Sequence, residues 1–168
     1  MCWKTIFIGH GCPLNAIEEK EFVAGFRNVA KEIPGPQSIL CVSAHWDTRG
    51  TLVTAMEHPI TIHDFGGFPK ELFEMQYPAP GSPRLAKQTK SLVKKNEVGL
   101  DDKCQMSLDY HQTAQYHYEL VKEIKSLRER GLLIIGSANS AHNLGMVAWD
   151  KSNASDDAYD WASEAIKQ

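Results

Sequence analysis

No uninterrupted apolar run in this sequence approaches the roughly 18 residues needed to span a bilayer, so no membrane helix is expected. The opening stretch MCWKTIFIGHG lacks the basic, long apolar and small-residue regions of a secretory signal, and the expected compartment is the cytoplasm. The four cysteines, Cys2, Cys12, Cys41 and Cys104, form no CxxC pair, which predicts structural or incidental thiols. There is no basic excess either. The net charge is -3, with Lys and Arg scattered among acids, and nucleic acid is not an expected partner because phosphate binding needs a basic stripe. GxSxG, GxxxxGK[ST], HExxH and GxGxxG are all missing, which removes the usual support for serine hydrolases, P-loop enzymes, zincins and dinucleotide enzymes.

What is present is the composition of one folded domain: 168 residues, 42% hydrophobic and 23% charged. Strand-like and helix-like segments alternate. TIFIGH (5–10), SILCVSAH (38–45), TLVTAM (51–56), KCQMSL (103–108) and LLIIGSAN (132–139) read as strands. Helical spacing links Phe22, Phe26, Val29, Ala30 and Ile33 before the stop at Pro34–Pro36. A second helix starts with Ser82 as N-cap and Pro83, and turns Leu85, Thr89, Leu92 and Val93 inward. A third uses Leu120, Val121, Ile124 and Leu127 and ends at Gly131; a last one would use Tyr159, Trp161 and Ile166. The expected fold is α/β, a single domain with a central, largely parallel β-sheet flanked by helices. An edge strand left open would allow a homodimer without demanding one.

Three of these strands run out into similar chemistry. The first exits as IGHGCP with His10, the second as SAHWD with His45, and the last as GSANSAHNLG with Asn139 and His142. Ligands of open α/β sheets bind beyond the carboxyl ends of the strands, so parallel strands would bring His10, His45 and His142 to one edge. Neutral imidazoles suit Zn(II) or Fe(II), and a catalytic metal keeps about three protein ligands with positions left open. A single histidine at a strand end is more often an ordinary hydrogen-bonded residue than a ligand, and it is the three together that point to a shared site; His58, His111 and His117 read as surface residues.

The stretch 57–81 is too long for a mere connector. It holds His63 and Asp64 beside Phe65, Gly66, Gly67 and Phe68, which fits a loop covering a pocket with His63 either supporting a site ligand or acting as acid/base group, or a surface loop whose rings seal the core. Arg49 could grip a substrate carboxylate or bridge to Asp47.

In IFIGHGCPLNAIE, in the long run from ILCVSAHWDTRG through TIHDFGGFPKELFEMQYPAPGSPRLA, and in LLIIGSANSAHNL, the chain resembles the DODA-type (4,5-DOPA) extradiol aromatic ring-opening dioxygenases, a class III LigB-like family. The resemblance runs from about Thr5 to about Trp149. It implies a metal site at a sheet edge, with Fe(2+) for oxygen chemistry and Zn(2+) often found in members. It matches His10 and His45 to metal-binding histidines and His142 to the histidine of an HNL motif in the same site. It implies a small aromatic diol such as DOPA and O2 as substrates, with His63 as the visible candidate for proton transfer; from the residues themselves, Arg49 and Asn139 are the expected substrate-binding groups.

Two family features are missing. After VGLDDK such proteins carry a D-H-G stretch whose histidine helps catalysis, whereas here Lys103 leads directly to Cys104; a later Glu-His segment, beyond Gln168, is also lacking. Residues 1–168 thus read as one catalytic-type domain without an internal segment near 100–105 and without a C-terminal extension. These pieces are either truly absent, as in a catalytically inactive truncated paralogue, or not represented in these residues. A zinc-dependent hydrolase or chelatase-like α/β protein is the other alternative.

Overall fold

The computed structural model describes residues 5–102 and 106–138. Six strands form one sheet: β1 (Thr5–Gly9), β2 (Ser38–Thr48), β3 (Thr51–Thr54), β4 (Val98–Asp101), β5 (Met106–Asp109) and β6 (Leu132–Ala138). Their order is β1-β6-β2-β5-β3-β4. β1, β6, β2 and β5 run parallel to their neighbours, β3 and β4 are parallel to each other, and the direction reverses where β3 meets β5. The sheet is therefore largely parallel, as the unbroken apolar runs of β2 and β6 require. No described helix is long and apolar enough to cross a membrane.

One face of the sheet carries the core. Leu40, Ile134, Met106, Val53 and Val98 pack there against the helices α3 (Pro83–Leu92) and α4 (Ala114–Ile124) and the 3-10 turn Lys125–Arg130. α3 begins as its sequence predicts: Ser82 accepts from the Leu85 N–H, Pro83 opens the first turn, and Leu85, Ala86, Thr89 and Val93 are buried. α4 is capped by Thr113, which accepts from the Tyr116 N–H. The expected third helix divides, with Leu120 and Ile124 buried on α4 and Leu127 on the following 3-10 turn, while Val121 faces out. Gly131 closes it at φ 82°, the left-handed conformation that glycine adopts without a Cβ penalty.

Other details differ from expectation. α1 (Glu21–Glu32) buries Val23, and Phe22 and Val29 of the expected inward stripe are exposed. Apolar residues at 22, 23, 26, 29, 30 and 33 cover a wide arc, and periodicity does not say which edge of an arc meets the sheet. The long loop contains a short helix, α2 (Lys70–Glu74), with Leu72 buried. β4 was not expected, because VGLD is too short and too polar to stand out. The expected final helix at Tyr159–Ile166, together with Asn139 and His142, lies outside the described residues.

Candidate functional site

The carboxyl ends of β1, β6 and β2 share one rim. Gly9 is in register with Ala138, and the His10 N–H donates to the Ala138 carbonyl at 3.3 Å, so β1 delivers its imidazole as the ladder ends. Gly11 follows at φ 66°, which turns the chain sharply away. The side-chain amide of Asn15 donates to the His10 carbonyl and holds that turn.

His45 reaches the rim differently from expectation. β2 does not stop at His45 but continues to Thr48, and its pairing with β5 slips: Val42 pairs with Met106, and the next pair is Asp47 with Leu108. Ser43 to Trp46 are thus opposed by Ser107 alone. Such a bulge lifts residues out of the ladder and re-aims their side chains. Below it, the Ser107 hydroxyl of β5 meets the Thr48 hydroxyl of β2 at 2.6 Å and accepts from the Leu52 N–H of β3 at 2.8 Å, which ties the bulged end of β2 through β5 to β3. The His45 N–H bonds to the Ser43 hydroxyl.

The two rings meet. His10 Nε2 and His45 Nε2 lie 3.2 Å apart, with ring planes at 56°. Both outer nitrogens are held: His10 Nδ1 by the Ser137 hydroxyl at 2.9 Å, and His45 Nδ1 by the Asp64 carboxylate at 3.1 Å. A carboxylate only accepts, so Nδ1 of His45 carries a proton, and in the neutral ring this leaves the lone pair on Nε2, facing His10. Two nitrogens sharing a tetrahedral zinc ion at about 2.0–2.1 Å would stand about 3.3 Å apart, a spacing this pair matches. Among the described residues no cluster of three or more His, Cys, Asp and Glu side chains is arranged to hold a metal ion. His142 lies outside those residues, as does Asn139.

The loop 57–81 borders the pair through Asp64. His63 itself turns to its own loop: Nε2 bonds the Met75 carbonyl at 3.0 Å, and the ring packs against Phe65 and Phe73. Phe65 also meets Phe68 edge-on and Phe73 at 5.1 Å. The loop's feet are joined, because the Gly81 N–H donates to the Glu57 carbonyl at 2.8 Å. Arg49 donates from Nε to His111 Nε2 at 3.4 Å rather than bridging to Asp47, and the His111 ring lies tilted at 39° against Tyr110. His111 and His58 are exposed, and His117 bonds the Asp109 carbonyl. A cavity of about 600 Å³ between His58 and the start of α3, near Arg84 and Lys87, is separate from the histidine pair. Cys41, on β2, is largely buried, which pushes its thiol pKa up.

Asp64 is the site residue that sequence reasoning undervalued. In the sequence it stands only as the neighbour of His63, and nothing in the spacing of residues 45 and 64 announces their contact.

The chain is similar in sequence and fold to known proteins. Residues 4–113 match the family described as the catalytic LigB subunit of aromatic ring-opening dioxygenase. The chain is 38% identical to a 4,5-DOPA dioxygenase extradiol of Escherichia coli K12, over 95% of its own length and 66% of that protein's. It is 35% identical to a 4,5-DOPA dioxygenase extradiol of Mirabilis jalapa, over 82% of its own length and 62% of the relative's. The chain thus spans just under two thirds of these relatives. The crystal structure of an uncharacterized Escherichia coli K12 protein superposes with a TM-score of 0.76 at 32% identity, covering 95% of this chain and 68% of that one. With its sheet, its histidine rim and these matches, the chain belongs to the LigB family of aromatic ring-opening dioxygenases, in the DODA-type group.

Proposed function

We propose that this chain carries the metal-binding part of an extradiol dioxygenase that opens the ring of a catechol-type diol, such as DOPA, with O2 as second substrate and Fe(2+) or Zn(2+) as the metal. The observation that carries the reading is the pair of Nε2 atoms at 3.2 Å, with both outer nitrogens anchored. A lone pair fixed at that distance from a second ring nitrogen calls for a cation or a proton between them. The names of the relatives supply the reaction class.

His10 and His45 would hold the metal, and His142 would join them. β6 lies between β1 and β2 in the sheet and ends at Ala138, one residue before Asn139 in the sequence. When bound, the metal supplies positive charge that lowers the pKa of a diol hydroxyl and, as Fe(2+), the redox capacity that O2 chemistry needs. The protein's own groups do the rest. Phe65, Phe68 and Phe73 offer an aromatic wall that keeps water from an apolar ring. A carbonyl accepts only, so His63 carries its proton on Nε2 toward Met75, and its Nδ1 keeps the lone pair with which to take a proton from substrate. Arg49 and Asn139 would bind polar groups of the substrate, the guanidinium suiting a carboxylate. β1 at the sheet edge offers a surface through which two copies could pair. A cytoplasmic setting suits the free thiols of Cys12 and Cys41.

Oxygen uptake tests the proposal. The protein is stripped with a chelator, reloaded with Fe(2+) and given a catechol. Uptake that depends on both metal and catechol, with a yellow ring-opened product, is expected. No uptake with metal bound, or hydrolytic turnover without O2, would assign the site to other chemistry.

A further inference from the structure

We propose that Asp64 is a positioning residue for the histidine pair, setting the tautomer and rotation of His45 and tying the aromatic loop to the strand that carries this ligand. The inference rests on the reading above that His10 and His45 hold a divalent cation.

The two anchors of the pair are unlike. His10 is held by a neutral hydroxyl, Ser137, on the neighbouring strand β6. A hydroxyl donates or accepts, so it does not by itself choose a tautomer. His45 is held by a carboxylate 19 residues away in sequence, and a carboxylate chooses: the ring proton must sit on Nδ1. Only that tautomer presents an unprotonated Nε2 to the cation. Partners of this kind orient metal-ligating imidazoles and are worth about 10–100-fold in metal affinity.

As a bare surface pair the contact would contribute little, since the side chains of His45 and Asp64 are 47% and 45% exposed. Its importance lies in where the carboxylate is mounted. On the N-terminal side of Asp64, the Thr61 hydroxyl accepts from the Tyr77 N–H at 2.9 Å, and His63 is bonded to Met75. On the C-terminal side, Phe65 is wedged against Phe68 and Phe73. The carboxylate is therefore presented by a cross-braced loop, and the same loop supplies the aromatic wall. Asp64 joins the two halves of the site.

Two readouts on the full chain test this. Zinc affinity is measured by competition with a chromogenic chelator for the wild type, Asp64→Ala and Asp64→Asn. Asp64→Ala should bind zinc about 10–100-fold more weakly, and Asp64→Asn, whose amide oxygen still accepts from Nδ1–H, should recover part of the loss. A role confined to loop folding would not give that rescue. The second readout needs no metal: long-range 1H–15N spectra of the metal-free protein should place the His45 proton on Nδ1 in the wild type and Asp64→Asn, and redistribute it in Asp64→Ala. An unchanged tautomer, or unchanged zinc affinity in both variants of a zinc-binding wild type, overturns the proposal. If the wild type binds no zinc while the tautomer still responds to Asp64, the cation-binding reading falls and the anchoring role of Asp64 stands.

Discussion

His10 and His45, 35 residues apart in the chain, present their Nε2 atoms to each other at 3.2 Å. The first arrives at the end of a ladder, the second from a bulge within one. Two different backbone devices thus deliver one chemical pair.

His45→Ala removes one half of that pair while leaving the core untouched. Bound zinc or iron, measured by elemental analysis after dialysis, should fall to background. Stability should change by only about 0.5 kcal/mol, as for other exposed positions away from special features. Full metal content in this variant would exclude His45 as a ligand.

Ser107 is fully buried and takes both the Thr48 hydroxyl and the Leu52 N–H. Because Thr48 donates to the Gly50 carbonyl, Ser107 must donate to Thr48. Ser107→Ala strands the Leu52 N–H and should cost about 1–3 kcal/mol in urea unfolding. Metal affinity should fall as well, since the bulge that aims His45 rests on this hydroxyl.

Most of the sheet was legible in the residues, and the physical reason is burial. Leu40 and Val42 on β2 and Leu132, Leu133 and Ile134 on β6 lie in apolar runs that suit a sheet interior, and the N-cap at Ser82 is a local signal fixed by one hydrogen bond. His10 was legible because it follows the last ladder pair of β1, whereas the bulge that brings His45 to the same rim leaves no sequence signal. What escaped was whatever depends on contacts distant in sequence. The continuation of β2 past His45 is set by its register with β5, and the exposed side of α1 by which part of its apolar arc meets the sheet. The pairing of Asp64 with His45 is likewise a product of the loop's tertiary bracing.

The thiols offer a pH-dependent test. Burial raises the Cys41 pKa, so at any given pH a smaller fraction of it is thiolate, while Cys12 is exposed. Peptide mapping after iodoacetamide treatment at pH 8 should find Cys12 labelled first. The Cys41 rate should keep rising toward higher pH. Equal rates would show that β2 opens readily.

Gly81 has no room for a side chain, because a Cβ there would lie 2.1 Å from the Met56 carbonyl oxygen. Gly81→Ala should therefore force the loop's feet apart, at about 1–3 kcal/mol. Limited proteolysis should show new cleavage between residues 57 and 81. An unchanged digestion pattern would mean that the clamp yields without opening the loop.

That clamp separates the loop's content from its attachment. A chain that departs at Glu57 and returns beside it at Gly81 is tied to the rest of the fold mainly by its feet, by the Asp64–His45 contact and by the buried Leu72. Its rings can be exchanged for larger or smaller side chains, provided that Asp64 still meets His45. Selectivity could thus diverge in this protein as an interchangeable cassette, while the imidazole platform beneath stays as it is.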